Sequence, residues 1–301
     1  MSRFQVTEDE WNIANLYLSE TPNGTKLPYA GYVDASNQFM TRKRYLQNIK
    51  PYQTTHSFIK LNERIYAIAQ SKSMNAVAGS GGFGKVKYAK IEDGSDLVIK
   101  ICGDIAISAK EAAILADLSL SAGGSQRYDK SKYYITMDYL GPNLDEFITD
   151  NETTLSDATR LDMAIELCWQ VFRLHEGLAS KTQTSYAHND LRTKNVTIDE
   201  AGHVHLIDFG LTEKGIEKTN NVIATKIYSA YREQGKTVTN EQNDVVALQR
   251  ILFLPDYFWA IPSLMKRCYR RAIFCMLDNL FQRLLHAAMS LYFHAHCPLP
   301  T

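Results

Sequence analysis

Three groups of residues have types and spacings suited to handling charge. The first is Gly79-Ser80-Gly81-Gly82-Phe83-Gly84-Lys85-Val86. Glycines at these places permit a tight turn and let backbone N–H groups approach phosphate oxygens where a Cβ would stand in the way. Alone, the pattern also fits a plain hairpin turn. A dinucleotide-binding turn is disfavoured, because a strand pattern and not a helix follows Gly84. The second group is Lys100 in the apolar run Leu97-Val98-Ile99-Lys100-Ile101. A strand lysine usually sits at an edge or in solvent. One that follows a glycine turn over a nucleotide can hold phosphates, and it then needs an acidic partner, for which Glu111 on the next helix is the candidate. The third group is His188-Asn189-Asp190-Leu191-Arg192-Thr193-Lys194-Asn195, followed by Asp208-Phe209-Gly210. Asn195 and Asp208 offer hard oxygen ligands suited to Mg²⁺. Asp190 is left to orient an attacking hydroxyl or accept its proton. Any one of these aspartates alone reads as a turn residue or a helix cap, but the ordered set is far harder to obtain by accident.

The elements that would position these groups follow from hydrophobic period. Ser57–Leu61, Arg64–Ala69, Ala76–Ala78, Lys85–Lys90 and Asp96–Cys102 read as strands, separated by the glycine segment and by Glu92-Asp93-Gly94. Ile107, Ile114, Leu115 and Leu118 fall at helical spacing, and Tyr133–Tyr139 is again a strand. A long amphipathic helix is predicted over Ala158–Leu178, short strands over Val196–Ile198 and Val204–Ile207, and helical material from Val245 onward. Sheet first and helices later predicts an α+β chain of two lobes and not alternating βαβ units. Residues 1–55 are polar, Tyr-rich and mixed in pattern, with turn signals at Pro22-Asn23-Gly24 and Lys50-Pro51.

Over about residues 76–253 the ordered set resembles the eukaryotic-type protein kinase family: glycine loop, strand lysine, helix glutamate, H-x-D-L-x-x-x-N and D-F-G. The resemblance implies a bilobal fold, an N-terminal antiparallel sheet lobe with a larger, mainly helical lobe. Residues 1–55 would be an extension of unknown role, 56–140 the first lobe and 141–301 the second, abbreviated after about 253. It implies ATP and Mg²⁺ as cofactors and a protein substrate, with serine or threonine favoured as acceptor. Gly79, Ser80, Gly81, Gly82, Phe83, Gly84 and Lys100 would hold phosphates. Val86, Val98, Met137 (at the gatekeeper place) and Thr197 would line the adenine, and backbone groups of Asp138 and Leu140 would bind its edge. Glu111 would fix Lys100, Asp190 would serve the acceptor hydroxyl, Arg192 the γ-phosphate charge, and Asn195 with Asp208 the metal. Gly141-Pro142-Asn143-Leu144 is similar to the family's entry into the second lobe, and Asp244-Val245-Val246-Ala247-Leu248 to the start of a central helix.

Several positions depart from the family pattern. Asn189 replaces the arginine that usually precedes the catalytic aspartate, Arg192 replaces a lysine, Val98 a smaller residue and Thr197 an apolar one. The A-P-E triplet has only Tyr231-Arg232-Glu233 as a substitute, and the chain after Leu248 is short for the family. These departures keep two alternatives in play: a small-molecule phosphotransferase of the choline-kinase or aminoglycoside-phosphotransferase type, and a pseudokinase scaffold. Because neutral Asn189 cannot pair bidentately with a phosphate, phosphorylation at Thr219, Thr225 or Tyr228 is expected to be dispensable for basal activity.

Composition sets outer bounds. Lys+Arg and Asp+Glu number 33 each, so the net charge is zero. That argues against a general footprint for nucleic acid or an anionic membrane. Hydrophobic residues at 45% and charged residues at 22% are globular values. The 5 cysteines are odd in number and lack a C-x-x-C pair, which reads as reduced thiols. Glu8, Asp9 and Glu10 interrupt the N-terminus, so no secretory signal is expected. Asp278, Arg283 and histidines interrupt the most apolar stretch, Ala272–Cys297, so no membrane span is expected there and it reads as buried helix. A cytoplasmic protein is expected, with delivery into a host cell as an effector compatible. The oligomeric state is left open.

Overall fold

The structure, a computed structural model, describes residues 4–34, 39–40, 50–70, 77–81, 84–127, 130–214 and 240–253. The chain divides into two compact units, Met1–Tyr139 and Leu140–Thr301. Gly82, Phe83, Thr219, Thr225, Tyr228, the Tyr231–Glu233 triplet and the stretch Ala272–Cys297 lie outside the described residues, as does the expected abbreviation after 253.

The first unit opens with α1 (Glu8–Leu18), started by a capping box in which Glu10 N–H donates to Thr7 Oγ1 (3.3 Å) and Thr7 N–H to Glu10 Oε2 (3.1 Å). Trp11, Ala14 and Leu18 form its buried face, and the Trp11 ring meets Phe58 edge-on at 5.2 Å. Strands β1 (Lys26–Leu27), β2 (Ala30–Val33), β3 (Phe39–Met40) and β4 (Lys50–Gln53) follow. Then come β5 (Ser57–Leu61), β6 (Arg64–Ile68), β7 (Val77–Gly81), β8 (Gly84–Lys90), β9 (Asp96–Cys102), helix α2 (Ile105–Asp117), β10 (Ser121–Gln126) and β11 (Tyr133–Asp138). The main sheet runs β1-β5-β6-β8-β9-β11-β10, with β7 also paired to β8, while β3-β2-β4 form a small separate sheet.

Every residue of β5 is buried, because the strand is covered on both faces. Phe58 points into the cluster built with α1, whereas Ile59 and Leu61 pack with Tyr66, Ala89, Ile99 and Tyr134 of the neighbouring strands. This is the two-residue alternation of a strand with a core on each side. The segment read from sequence as an extension thus supplies α1 and β1, and β1 pairs directly with β5 through Lys26↔Ile59. Strand β10 went unread in the sequence. Its Gly123-Gly124 composition reads as loop, and its pairing with β11 is shifted between Ser121 and Gly123.

The second unit contains α3 (Leu144–Asp150), α4 (Asp157–His175), β12 (Tyr186–Ala187), a 3-10 turn at Thr193–Asn195, β13 (Val196–Ile198), β14 (Val204–Leu206), a 3-10 turn at Phe209–Leu211, β15 (Glu213–Lys214) and α5 (Asn240–Phe253). Strands β13 and β14 form one ribbon and β12 with β15 another. Asn143 caps α3, its side chain accepting from Glu146 N–H at 3.0 Å. Gly141 precedes it at φ 87°, where a Cβ would collide with the carbonyl oxygen of Ile198. Only glycine tolerates that approach. Among the described residues no helix is long and apolar enough to cross a membrane.

Candidate functional site

Lys100 lies on β9, a strand flanked on both sides by β8 and β11, with Val86 and Ile135 as cross-strand partners. Its strand neighbours on either side of the chain, Ile99 and Ile101, face the opposite core. Lys100 is only 4% exposed, and its Nζ donates to both carboxylate oxygens of Glu111 at 2.6 and 2.8 Å. Glu111 comes from α2 and is 1% exposed. Each charge is removed from water and compensated by the other. On the same face of the sheet, Val98 and Tyr88 pack with Ala69, Val86, Met137 and Tyr139. Asp138, the last residue of β11, is exposed.

The glycine segment is a β-hairpin whose arms pair Gly79 with Val86, Ser80 with Lys85 and Gly81 with Gly84. Its glycines have different reasons to be there. At Gly84 (φ 156°) a Cβ would stand 2.5 Å from Ile101 O, so that position is dictated by the neighbouring strand. At Gly79 a Cβ would meet nothing within 4 Å, so the omitted side chain leaves open space beside the hairpin.

In the second unit, the loop 188–195 is hung from one carboxylate. Asp244 of α5, fully buried, accepts from His188 N–H (2.5 Å), Asn189 N–H (2.8 Å) and His175 Nε2 (3.0 Å). The His188 Nε2 donates to Ile207 O (2.9 Å), while its Nδ1 accepts from Asp190 N–H (3.3 Å). These two bonds fix which ring nitrogen carries the proton. The ring also lies 4.9 Å from that of Phe209. Asn189 adopts φ 63° and is bonded on every side: it donates to Leu211 O (3.3 Å) and Asn240 Oδ1 (3.3 Å) and accepts from Asn243 Nδ2 (2.8 Å).

Asp190 is held by its neighbours. Asn195 Nδ2 donates to its backbone oxygen and to Oδ2, both at 2.8 Å, and Arg192 Nη2 lies 3.4 Å from Oδ2. Burial raises the pKa of Asp190. The positive charge of Arg192, the Asn195 hydrogen bond and His188 oppose the rise, and the nearby Asp208 charge adds to it. Ile207 N–H donates to Asn195 O (3.0 Å), tying this loop to the strand end that carries Asp208. Asp208 adopts φ 65°, ψ 67°. Two non-glycine residues in the left-handed region, Asn189 and Asp208, therefore flank the same acidic cluster.

The donor set fits Mg²⁺. The Asn195 amide nitrogen is committed to Asp190, and the amide oxygen of Asn195 with the carboxylate of Asp208 are ligand types this ion accepts. Thr197 on β13 is 5% exposed, and its hydroxyl has no hydrogen-bond partner among the described residues.

Lys100, Glu111, Val86, Val98, Met137 and Asp138 thus come together in the first unit. Leu140, Asp190, Arg192, Asn195, Thr197 and Asp208 belong to the second. Of Ser80 and Gly81 the backbone is described. Sequence reasoning missed Tyr88, His175, Asn240, Asn243 and the anchoring role of Asp244. A signal existed for three of these: Asn240, Asn243 and Asp244 are polar residues at i, i+3 and i+4, sharing one helix face that is buried.

Residues 73–232, just over half of the chain, match the family described as protein tyrosine and serine/threonine kinase. A probable serine/threonine-protein kinase, ndrC, from Dictyostelium discoideum is 26% identical over 182 residues, 57% of this chain and 13% of that protein. A probable LRR receptor-like serine/threonine-protein kinase from Arabidopsis thaliana is 28% identical over 182 residues, 55% of this chain and 16% of that protein. The serine/threonine-protein kinase PrkC of Bacillus subtilis is 28% identical over 126 residues, 40% of this chain and 18% of that protein. The aligned stretch is less than a fifth of the length of each of these relatives. With the glycine hairpin, the buried lysine–glutamate pair and the anchored aspartate loop inside or beside the matched segment, the chain belongs to the protein tyrosine and serine/threonine kinase family.

Proposed function

We propose that this chain is an ATP-dependent protein kinase that transfers the γ-phosphoryl group to a protein hydroxyl, with serine or threonine preferred. The observation that carries the reading is the buried Lys100–Glu111 pair on the strand that follows the glycine hairpin. A buried ion pair is a poor way to gain stability, since apolar residues of similar volume do as well or better. Its use here is a fixed cation for the α- and β-phosphates, and the glycine hairpin covers them. Val86, Val98, Met137 and Thr197 line the adenine in this reading, and backbone groups of Asp138 and Leu140 bind its edge. Asn195 and Asp208 hold Mg²⁺, which when bound neutralises phosphate charge. Asp190 orients the acceptor hydroxyl and takes its proton; a carboxylate with a raised pKa is a better base for that task. The guanidinium of Arg192, 45% exposed beside Asp190, is placed to meet the charge of the transferred group. Residues 56–140 form the first lobe in this reading and 141–301 the second, which carries the acceptor and metal groups, with 1–55 built onto the former. The thiols of Cys102 and Cys168, which form no disulfide among the described residues, fit a reducing compartment.

The test separates two steps. Asp208→Ala should weaken Mg-ATP binding in calorimetry. Asp190→Asn should leave that affinity within about twofold and lower kcat at least about a hundredfold, the range of general-base loss. Equal loss of nucleotide affinity in both variants would contradict these roles. Label appearing on choline or an aminoglycoside and not on protein would move the chain to the small-molecule class, and failure of Mg-ATP to raise Tm would favour a scaffold.

A further inference from the structure

Beside the residues assigned to nucleotide, and sharing Gly84 and Glu111 with them, the first unit carries a half-open pocket of about 940 Å³, at the upper end of the range for small-molecule sites. Its walls carry six cationic side chains: Lys26, Lys85, Lys87, Arg127, Lys130 and Lys132. Among the described residues that line it, Asp104 and Glu111 carry the carboxylates, and both are engaged. Asp104 Oδ1 accepts from Ile107 N–H (3.0 Å) as the cap of α2, and Glu111 is held by Lys100. None of Lys85, Lys87, Lys130 and Lys132 makes an ion pair among the described residues.

Packing gives no reason for this arrangement. Lys85 and Lys87 stand two apart on β8, so they project from one face of the strand, where like charges repel. Burial lowers the pKa of Lys87, and the Lys85 charge lowers it further. An anion between them would relieve both effects. Five of the six cations are lysines, compact point charges on flexible stems that suit phosphate oxygens from several directions. The chain as a whole is neutral, so this density is local and not a reflection of overall charge.

We propose that this pocket binds a compact polyanion bearing two or more phosphate groups, on cations that the ATP reading does not use. The first turns of α2, Asp104 through Glu111, form one wall. A bound polyanion would therefore touch the helix that positions Lys100.

The probe is inorganic tripolyphosphate, titrated calorimetrically into the full chain in magnesium-free buffer. We expect one saturable site in wild type and in Asp208→Ala alike, weakening as NaCl screens the cations. The combined Lys87→Gln, Lys130→Gln, Lys132→Gln variant should lose at least about tenfold in affinity, and orthophosphate should bind at least about tenfold more weakly than tripolyphosphate. If that variant does not fold, Lys130→Gln with Lys132→Gln replaces it, since both lysines are exposed. Undiminished binding in the lysine variants would put the anion elsewhere and overturn the proposal. So would an absence of binding, or saturation by a phosphoserine peptide with none by tripolyphosphate. None of these readouts requires phosphoryl transfer, so they stand or fall apart from the kinase reading.

Discussion

Lys100 and Glu111 are each nearly without solvent, so neither can be removed alone without stranding the other. Lys100→Met should destabilise the first unit by about 3–5 kcal/mol, because the buried Glu111 carboxylate loses the cation that bonds both its oxygens. Lys100→Met combined with Glu111→Leu should recover most of that loss in urea titration while ATP transfer stays absent. A double variant as unstable as the single one would mean that the pair is structural. Asp190 gives the opposite signature. Its folded-state pKa is raised, so its ionised form at neutral pH opposes folding. The favourable contribution of the protonated form is full below the unfolded value of about 4 and is lost as pH rises through the folded value. Asp190→Asn should therefore have a higher Tm than wild type at pH 7, and the gap should close below about pH 4. The same substitution that ends transfer should stabilise the fold, which is the behaviour of a group kept for chemistry.

Among the elements, α1 and β5 show how the first unit extends its sheet. Glu10 sits in the first turn of α1, yet one of its oxygens accepts from Thr55 N–H and Oγ1, both at 2.6 Å. Burial alone would raise its pKa, but the Thr55 and Thr7 hydrogen bonds and the adjacent His56 bring it down to about 2. A depressed carboxylate stabilises above its unfolded value and loses that contribution as pH falls through the folded one. From 4.5 to about 2, this amounts to about 3 kcal/mol. Glu10→Gln should lower Tm at pH 7, and its melting should be less acid-sensitive than that of wild type between about pH 5 and 2. Elements with a clean period were legible from sequence: β5, β9 and β13 fall at the bounds read for them. Helix α1 was not, because polar Glu8, Asp9 and Glu10 begin it and its apolar stripe is only three residues. Strand β10 was not, because glycine composition speaks for loop until a partner strand is known.

For the molecule as a whole, the family was legible because the residues that carry the resemblance are charged or polar types in a fixed order, from Lys100 and Glu111 to Asp190, Asn195 and Asp208. What held those groups was less legible, because anchoring contacts join residues far apart in sequence and leave no local period. Asp244 is the clearest case. It lies 55 positions beyond Asn189, and both bonds that fix the backbone at the start of the aspartate loop end on its carboxylate. This has a consequence for the order in which the molecule can be assembled. Residues His188 to Asn195 leave the ribosome well before α5 does. At about 5–20 residues per second, the loop waits roughly 3–11 s for the group that sets its geometry. Closing a segment of that length also costs chain entropy that local turns do not. The 188–195 loop thus takes its anchored shape only after α5 is made, and a nascent chain has the strands of the first unit before that loop is fixed.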